Sequence, residues 1–321
     1  MNNIDAHSHF LPKEALDELG IEIEEIAPKK YRMKIGERKV GPLPKGFFDI
    51  DERVKEMDEL GIDFQVFSVT HHLFGYNYEK GLAGKVARVQ NDALAKVHRA
   101  YGDKVACNGT LPLSYPDLAL KELEHIYHDL ELPGIEIGTN ITGKNLDSPE
   151  LFPIYEKLQE YDMPILVHPN DILGRDRMKR YYLPIVVGTL LETTIAIASV
   201  IFGGVLDKFP RLKFIFCHGG GAVPYQIGRL QRALEVRDEC KGLVRGRAID
   251  YLKKIYVDTV VFDDDSLDFL VKRMGPENVV FGTDYPFNMG EWDSHLRVGR
   301  LDITKENIEK ILVHYAKRLF K

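Results

Sequence analysis

The sequence predicts an α/β fold: a (β/α)8 TIM barrel carrying a small β-hairpin or meander inserted after its first strand. Three observations lead there. Short β-branched runs alternate with amphipathic segments through eight units, with no break in composition between them. That rhythm argues parallel strands joined by crossover helices, and eight units argue closure. No glycine-rich phosphate fingerprint follows the first strand, which disfavours an open doubly wound sheet. The 321 residues suit one domain spanning 1–321, within which only segment 20–46 changes character.

The first strand is Ile4-Asp5-Ala6-His7-Ser8-His9, and side-chain alternation puts His7 and His9 on one face. A short helix over Pro12–Leu19 stops at Gly20. Next, Ile21-Glu-Ile-Glu-Glu25, Tyr31-Arg-Met-Lys-Ile35 and Arg38-Lys-Val40 alternate apolar and polar residues around Pro28, Gly36 and Gly41. That is the pattern of an antiparallel meander. Asp51–Gly61 reads as a helix capped by Asp49 or Asp51 and ended by its glycine. Further strands are expected at Phe64–Val69, Lys104–Gly109, Gly134–Gly138, Pro164–His168, Leu212–His218, Ile255–Asp258 and Val279–Asp284. Helices are expected over Leu82–Tyr101, Asp117–Asp129, Glu150–Tyr161, Leu190–Lys208, Tyr225–Asp238, Ser266–Met274 and Lys305–Phe320.

Composition narrows the function classes. Lys plus Arg number 43 against 49 Asp plus Glu, a net charge of -6. No basic stripe invites nucleic acid, so no nucleic-acid partner is expected. The start lacks a charged stretch leading into an apolar run, so no signal peptide is expected. The longest apolar run, Ile195–Leu206, is too short to span a bilayer and reads as a buried helix. Cys107, Cys217 and Cys240 have no CxxC spacing, which suggests neither a disulfide scaffold nor a thiolate zinc site. The expectation is a soluble cytoplasmic protein with no membrane partner.

In a barrel of this kind the active site lies at the C-terminal ends of the strands. His7, His9, His168, His218 and Asp284 all fall at that rim. His-x-His alone is equally the mark of two hydrogen-bonded core histidines. Joint placement of five such groups instead argues a metal site. Three imidazoles and a carboxylate suit a zinc-like ion with an open position for water, whose pKa the ion can lower to near 7.

Asp5-Ala-His-Ser-His9, Val167-His-Pro-Asn-Asp171, Cys217-His-Gly-Gly-Gly221 and Gly282-Thr-Asp-Tyr-Pro-Phe287 together resemble the signature of the amidohydrolase superfamily. Within it the chain is most similar to the decarboxylase branch, in particular the aminocarboxymuconate-semialdehyde decarboxylases. Gly109-Thr-Leu-Pro112, Leu151-Phe-Pro-Ile-Tyr155, Glu192-Thr-Thr-Ile-Ala196 and Lys208-Phe-Pro-Arg-Leu212 extend the resemblance along nearly the whole chain. It implies that His7, His9, His168 and Asp284 ligate one divalent metal, Zn2+ or else Mn2+. It implies that His218 does not ligate but hydrogen-bonds the metal-bound water as general base and acid. The reaction implied is non-oxidative decarboxylation of a small unsaturated or aromatic carboxylic acid. The assembly implied is a homodimer in which Arg237 serves the neighbour's site; taken alone, Arg237 reads as an ordinary charged helix residue.

Several positions depart from that pattern. The family's second substrate arginine is missing from Gly41–Gly46, where Lys45 offers a point charge without the bidentate fork. Asn170 stands in place of a tryptophan. His71 and His72 stand where the family has apolar residues; they suit a polar substrate group or a solvated loop equally. Glu136 replaces a glutamine-like position, and a second metal beside it is a minor alternative. Arg177, in the basic run Arg175–Arg180, matches a family arginine near the rim. The substrate contacts expected are therefore Arg237, Lys45, Asn170, His71 and Arg177. The alternative function is hydrolysis of a lactone or amide on the same barrel; the third is a metal-binding barrel without catalysis.

Overall fold

The computed structural model describes residues 3–320. In chain order its strands are β1 (Ile4–His9), β2 (Glu22–Ala27), β3 (Lys30–Ile35), β4 (Arg38–Leu43), β5 (Phe64–Ser68), β6 (Val105–Thr110) and β7 (Gly134–Gly138). They continue with β8 (Asn140–Ile141), β9 (Lys144–Asn145), β10 (Pro164–His168), β11 (Lys213–Phe216), β12 (Tyr256–Asp258) and β13 (Val279–Val280). Eight of them form one sheet in the order β1-β5-β6-β7-β10-β11-β12-β13, every neighbouring pair parallel. The sheet closes on itself: Ala6 N donates to Phe281 O at 2.9 Å and His9 N to Tyr285 O at 2.7 Å. The expected barrel is therefore present, and β2-β3-β4 is the expected inserted meander.

Local chemistry sets the helices that frame it. Asp49, not Asp51, caps helix Ile50–Glu59 by accepting from Glu52 N, and Asp263 likewise caps Asp264–Met274. Ile4, Phe64, Val66, Ala106, Leu166, Ile215 and Val280 form an apolar cluster with Ala316, Leu319 and Phe320 of the last helix. One alternate set of strand residues thus fills the barrel below the rim. The other set packs outward with the helices in the larger core.

Strand β1 contains a feature the alternation rule does not foresee. Ile4 lies opposite Phe64 and His9 opposite Ser68, positions of equal parity on β5, although 4 and 9 differ in parity. The register shifts by one residue between Asp5 and Ser8, a β-bulge. The bulge lets Ile4 and the two histidines face inward while Asp5, opposite Gln65, faces out.

Two of the differences from expectation bear on the site and its surface. Regular pairing of the last barrel strand ends at Val280 rather than at Asp284. Asp284 and His218 instead sit in turns with φ of 55° and 56°, the strained left-handed region that clusters at functional sites. The apolar helix begins earlier than Leu190: Pro184–Phe202 is 19 residues long with mean hydropathy 2.1, long enough by composition to cross a membrane. It nevertheless packs on the barrel through Ala196, Ile197, Val200 and Ile201. It also buries Glu192, which accepts from Asn140 Nδ2 at 2.9 Å and Leu173 N at 2.8 Å. Val186 and Val187 on its first turn remain about half exposed.

Candidate metal centre and active-site cavity

His7, His9, His168 and Asp284 meet at the barrel rim, and each imidazole is oriented from behind. His7 Nδ1 donates to Asp258 Oδ2 at 2.7 Å, His9 Nδ1 to Val69 O at 2.8 Å and His168 Nδ1 to Pro169 O at 3.0 Å. A hydrogen on each Nδ1 leaves each Nε2 with a lone pair. All three Nε2 atoms point at one atom, Asp284 Oδ1, at 3.4, 3.1 and 3.9 Å. Nitrogen lone pairs converging on a carboxylate oxygen repel unless a cation lies among them. Among the described residues His7 Nε2 and His168 Nε2 are buried without a hydrogen bond, which fits the same conclusion.

Electrostatics separate His7 from the other two imidazoles. Burial lowers His9, and takes His168 down to about 3, so both are neutral imidazoles fit to ligate. At His7 burial acts the same way but is outweighed by Cys217, Asp258 and Asp284, which raise it. Asp284 is held well below the usual carboxylate range; burial would raise it, and the surrounding histidines prevail. The centre demands positive charge, which a divalent ion would supply. Donors of this kind, three imidazole nitrogens and one carboxylate, fit Zn2+ and similar ions.

His218 approaches from the other side, with Nε2 3.4 Å from Asp284 Oδ2. Its Nδ1 makes no hydrogen bond among the described residues, and one of its ring nitrogens lies within 4.8 Å of donor atoms of His7, His168 and Asp284. Asp258, missed in the sequence, positions both ends of the site. Besides His7 it accepts from His218 N at 3.0 Å and Gly219 N at 2.8 Å. The available signal was a carboxylate ending the seventh barrel strand.

Above the centre opens a cavity of about 1160 Å³ whose walls include His71, His168, His218 and Asp284. Arg38, Lys39, Arg175 and Lys179 also line it, and none forms an ion pair among the described residues. Asp265 is the acidic counterpart on that wall. Four unpaired cations around one mouth, in a chain of net charge -6, favour an anionic ligand. His71 stacks on His168 with ring centres 5.1 Å apart, and His72 lies beside it, 3.3 Å from Arg38 Nη1.

The other expected contacts lie elsewhere. Lys45 pairs with Asp49 at 2.7 Å and does not line the cavity. Arg177 is exposed on its 3-10 turn, and its neighbours Arg175 and Lys179 line the cavity instead. Asn170 is buried and turned into the barrel wall: Thr139 donates to its Oδ1 at 3.2 Å, and its Nδ2 donates to Asn140 O at 3.0 Å. Arg237 is on the surface, bonded to Glu239, and outside its own chain's cavity. Glu136 is buried 3.9 Å from His9 Nδ1, with neither carboxylate oxygen hydrogen-bonded among the described residues. Burial raises it well above the ordinary carboxylate range.

The imidazoles of His71 and His72 carry a pH signature. Burial takes His72 down to about 3 in the folded protein, against about 6.5 in an unfolded chain. Below about pH 6.5 the unfolded state binds the extra proton, so stability is lost as pH falls through that range. The metal-free protein is therefore expected to lose less melting temperature between about pH 7 and pH 5 once His72 is replaced by phenylalanine. Equal losses in the two proteins, by calorimetry, would contradict the burial of a neutral His72.

A family model described as amidohydrolase matches residues 4–321. The chain belongs to the amidohydrolase family. A 2-amino-3-carboxymuconate-6-semialdehyde decarboxylase from Dictyostelium discoideum is 36% identical over 296 residues, covering 90% of this chain and 82% of that one. A solved structure of Metarhizium anisopliae IDCase in apo form superimposes with a TM-score of 0.87 at 25% identity, covering 99% of this chain and 96% of that chain. A dihydroxybenzoic acid decarboxylase from Polaromonas, solved with bound manganese and 2-nitroresorcinol, superimposes with a TM-score of 0.81 at 23% identity, covering 100% and 97%. This amidohydrolase thus has carboxy-lyases among its relatives, and divalent metal is bound in a structure of the same fold.

Proposed function

We propose that this amidohydrolase is a metal-dependent, non-oxidative decarboxylase of a small unsaturated or aromatic carboxylic acid. The observation that carries the proposal is the convergence of His7, His9 and His168 Nε2 on Asp284 Oδ1 beneath a mouth of unpaired cations. These four residues would hold one divalent ion, Zn2+ by the donor set, with Mn2+ the alternative. Such an ion supplies Lewis acidity toward an oxygen of the substrate.

The chain's own residues do the rest. Arg38, Arg175 and Lys179 draw the carboxylate into the cavity, and His71 offers a neutral imidazole to a polar substituent. His218 delivers a proton to the carbon that bears the carboxylate. The new C–H bond forms, the C–C bond breaks, and its electron pair returns to the unsaturated system as carbon dioxide leaves. The test is product analysis on a panel of hydroxybenzoates and muconate-type acids. Carbon dioxide and the hydrogen-substituted product are expected from at least one member. Turnover of lactones or amides with no carbon dioxide from any acid would overturn the reading.

The proposal includes a homodimer in which Arg237 reaches the partner's cavity. Its exposure supports this, as do the exposed Val236, Leu243 and Tyr225 and the bare turn of Val186 and Val187. Mixing inactive Arg237→Ala and His218→Ala proteins is expected to restore up to about a quarter of wild-type activity, through one intact site per mixed dimer. No recovery after subunit exchange would count against it.

A further inference from the structure

On the outer face of β1 a second polar system lies behind the metal centre, and the proposed chemistry does not use it. Arg53, on helix Ile50–Glu59, is fully buried. Its Nε donates to Gln65 Oε1 at 2.8 Å, Nη2 to the carbonyl of His9 at 3.1 Å and Nη1 to the carbonyl of Gly46 at 3.5 Å. The guanidinium lies 4.2 Å from the ring centre of Tyr285 and 5.0 Å from that of Phe67. Gln65 extends the system, its Nε2 donating to Asp5 Oδ2 at 2.7 Å. Asp5 in turn accepts from Thr283 Oγ1 at 2.6 Å, Thr283 N at 3.1 Å and His7 N at 3.0 Å.

One connected network therefore grips the backbone at three of the four candidate ligands. It holds His7 by its amide, His9 by its carbonyl, and Asp284 through both sequence neighbours. These are the places where regular structure is weakest. His7 sits in the bulge of β1, and Asp284 lies beyond the two-residue β13 with a positive φ. The backbone bonds that join the two there are few, Asp284 N to His7 O at 2.9 Å and His9 N to Tyr285 O at 2.7 Å, and they leave the side-chain directions to the network. A buried cation without an ion-paired carboxylate is costly, and an apolar side chain of the same size would serve packing alone.

We propose that Arg53 and Gln65 are positioning residues for the metal centre, setting the register of His7 and His9 against Asp284. Gly46 lies in the 3-10 turn that follows the inserted meander, whose Arg38–Leu43 segment walls the cavity. Arg53 thereby also anchors that wall to the centre. The inference rests on the metal-centre reading above, and its test reads metal affinity rather than turnover.

Wild type, Gln65→Leu, Arg53→Met and the control Met57→Ala are compared in metal-free form. Met57 is buried on the same helix as Arg53 but has no bond to the network. Zn2+ affinity is measured by competition with a chromophoric chelator, and melting temperature is recorded for each protein. Gln65→Leu and Arg53→Met are expected to bind Zn2+ about 10–100-fold more weakly. Met57→Ala is expected to melt earlier yet bind as wild type. Should Arg53→Met not fold, Gln65→Leu decides alone. Wild-type affinity in Gln65→Leu would overturn the inference, as would equal weakening in Met57→Ala. A wild type that binds no divalent ion would overturn the metal reading, and this inference with it.

Discussion

Asp284→Asn is expected to give a folded barrel that neither retains a divalent ion nor turns over above the buffer rate. The substitution keeps the shape of the side chain and removes the one negative charge on which three imidazole Nε2 atoms converge. Burial leaves His9 and His168 neutral, so a divalent ion would face little else to balance its charge. Metal analysis after gel filtration, beside a melting curve, separates this outcome from misfolding. Stoichiometric metal and undiminished turnover in Asp284→Asn would remove the aspartate from the centre.

His218→Ala is expected to behave differently. It should retain metal at the wild-type level and lose about 10²–10⁴-fold in kcat, the usual worth of a positioned acid–base group. The geometry behind this split is the side from which His218 arrives. Its Nε2 faces Asp284 Oδ2, whereas the other three histidines face Oδ1. Among the described residues its Nδ1 has no hydrogen-bond acceptor behind it, unlike theirs. An imidazole without that orienting partner lacks the support that metal-ligating histidines almost always have. Loss of metal together with activity in His218→Ala would make it a ligand.

The sequence carried more of the barrel than of the cavity, for physical reasons. Periodicity marks where strands and helices run, and the C-terminal ends of strands mark the rim. His7, His9, His168, His218 and Asp284 could therefore be placed together before any geometry was known. The bulge in β1 was not legible, because it reverses the parity from which the face of Asp5 would be read. Lys45 and Asn170 were expected at the substrate by position along the chain. Local partners divert them: Asp49 holds Lys45 four residues away, and Thr139 with Asn140 turns Asn170 into the wall. The four unpaired cations of the mouth come from two distant segments, Arg38–Lys39 and Arg175–Lys179, that only the folded meander brings face to face. Asp258 was visible as a strand-ending carboxylate, but its bond to His7 spans 251 residues.

The central claim, one divalent ion per chain working in decarboxylation, is tested most directly by titrating metal-free protein with Zn2+ or Mn2+. Carbon dioxide release from the best acid of the panel is followed at each addition. The expected result is no release from the metal-free protein and a linear rise that levels off at one ion per chain. Full release without metal, or metal-loaded protein that hydrolyses a lactone while releasing no carbon dioxide from any acid, would contradict it.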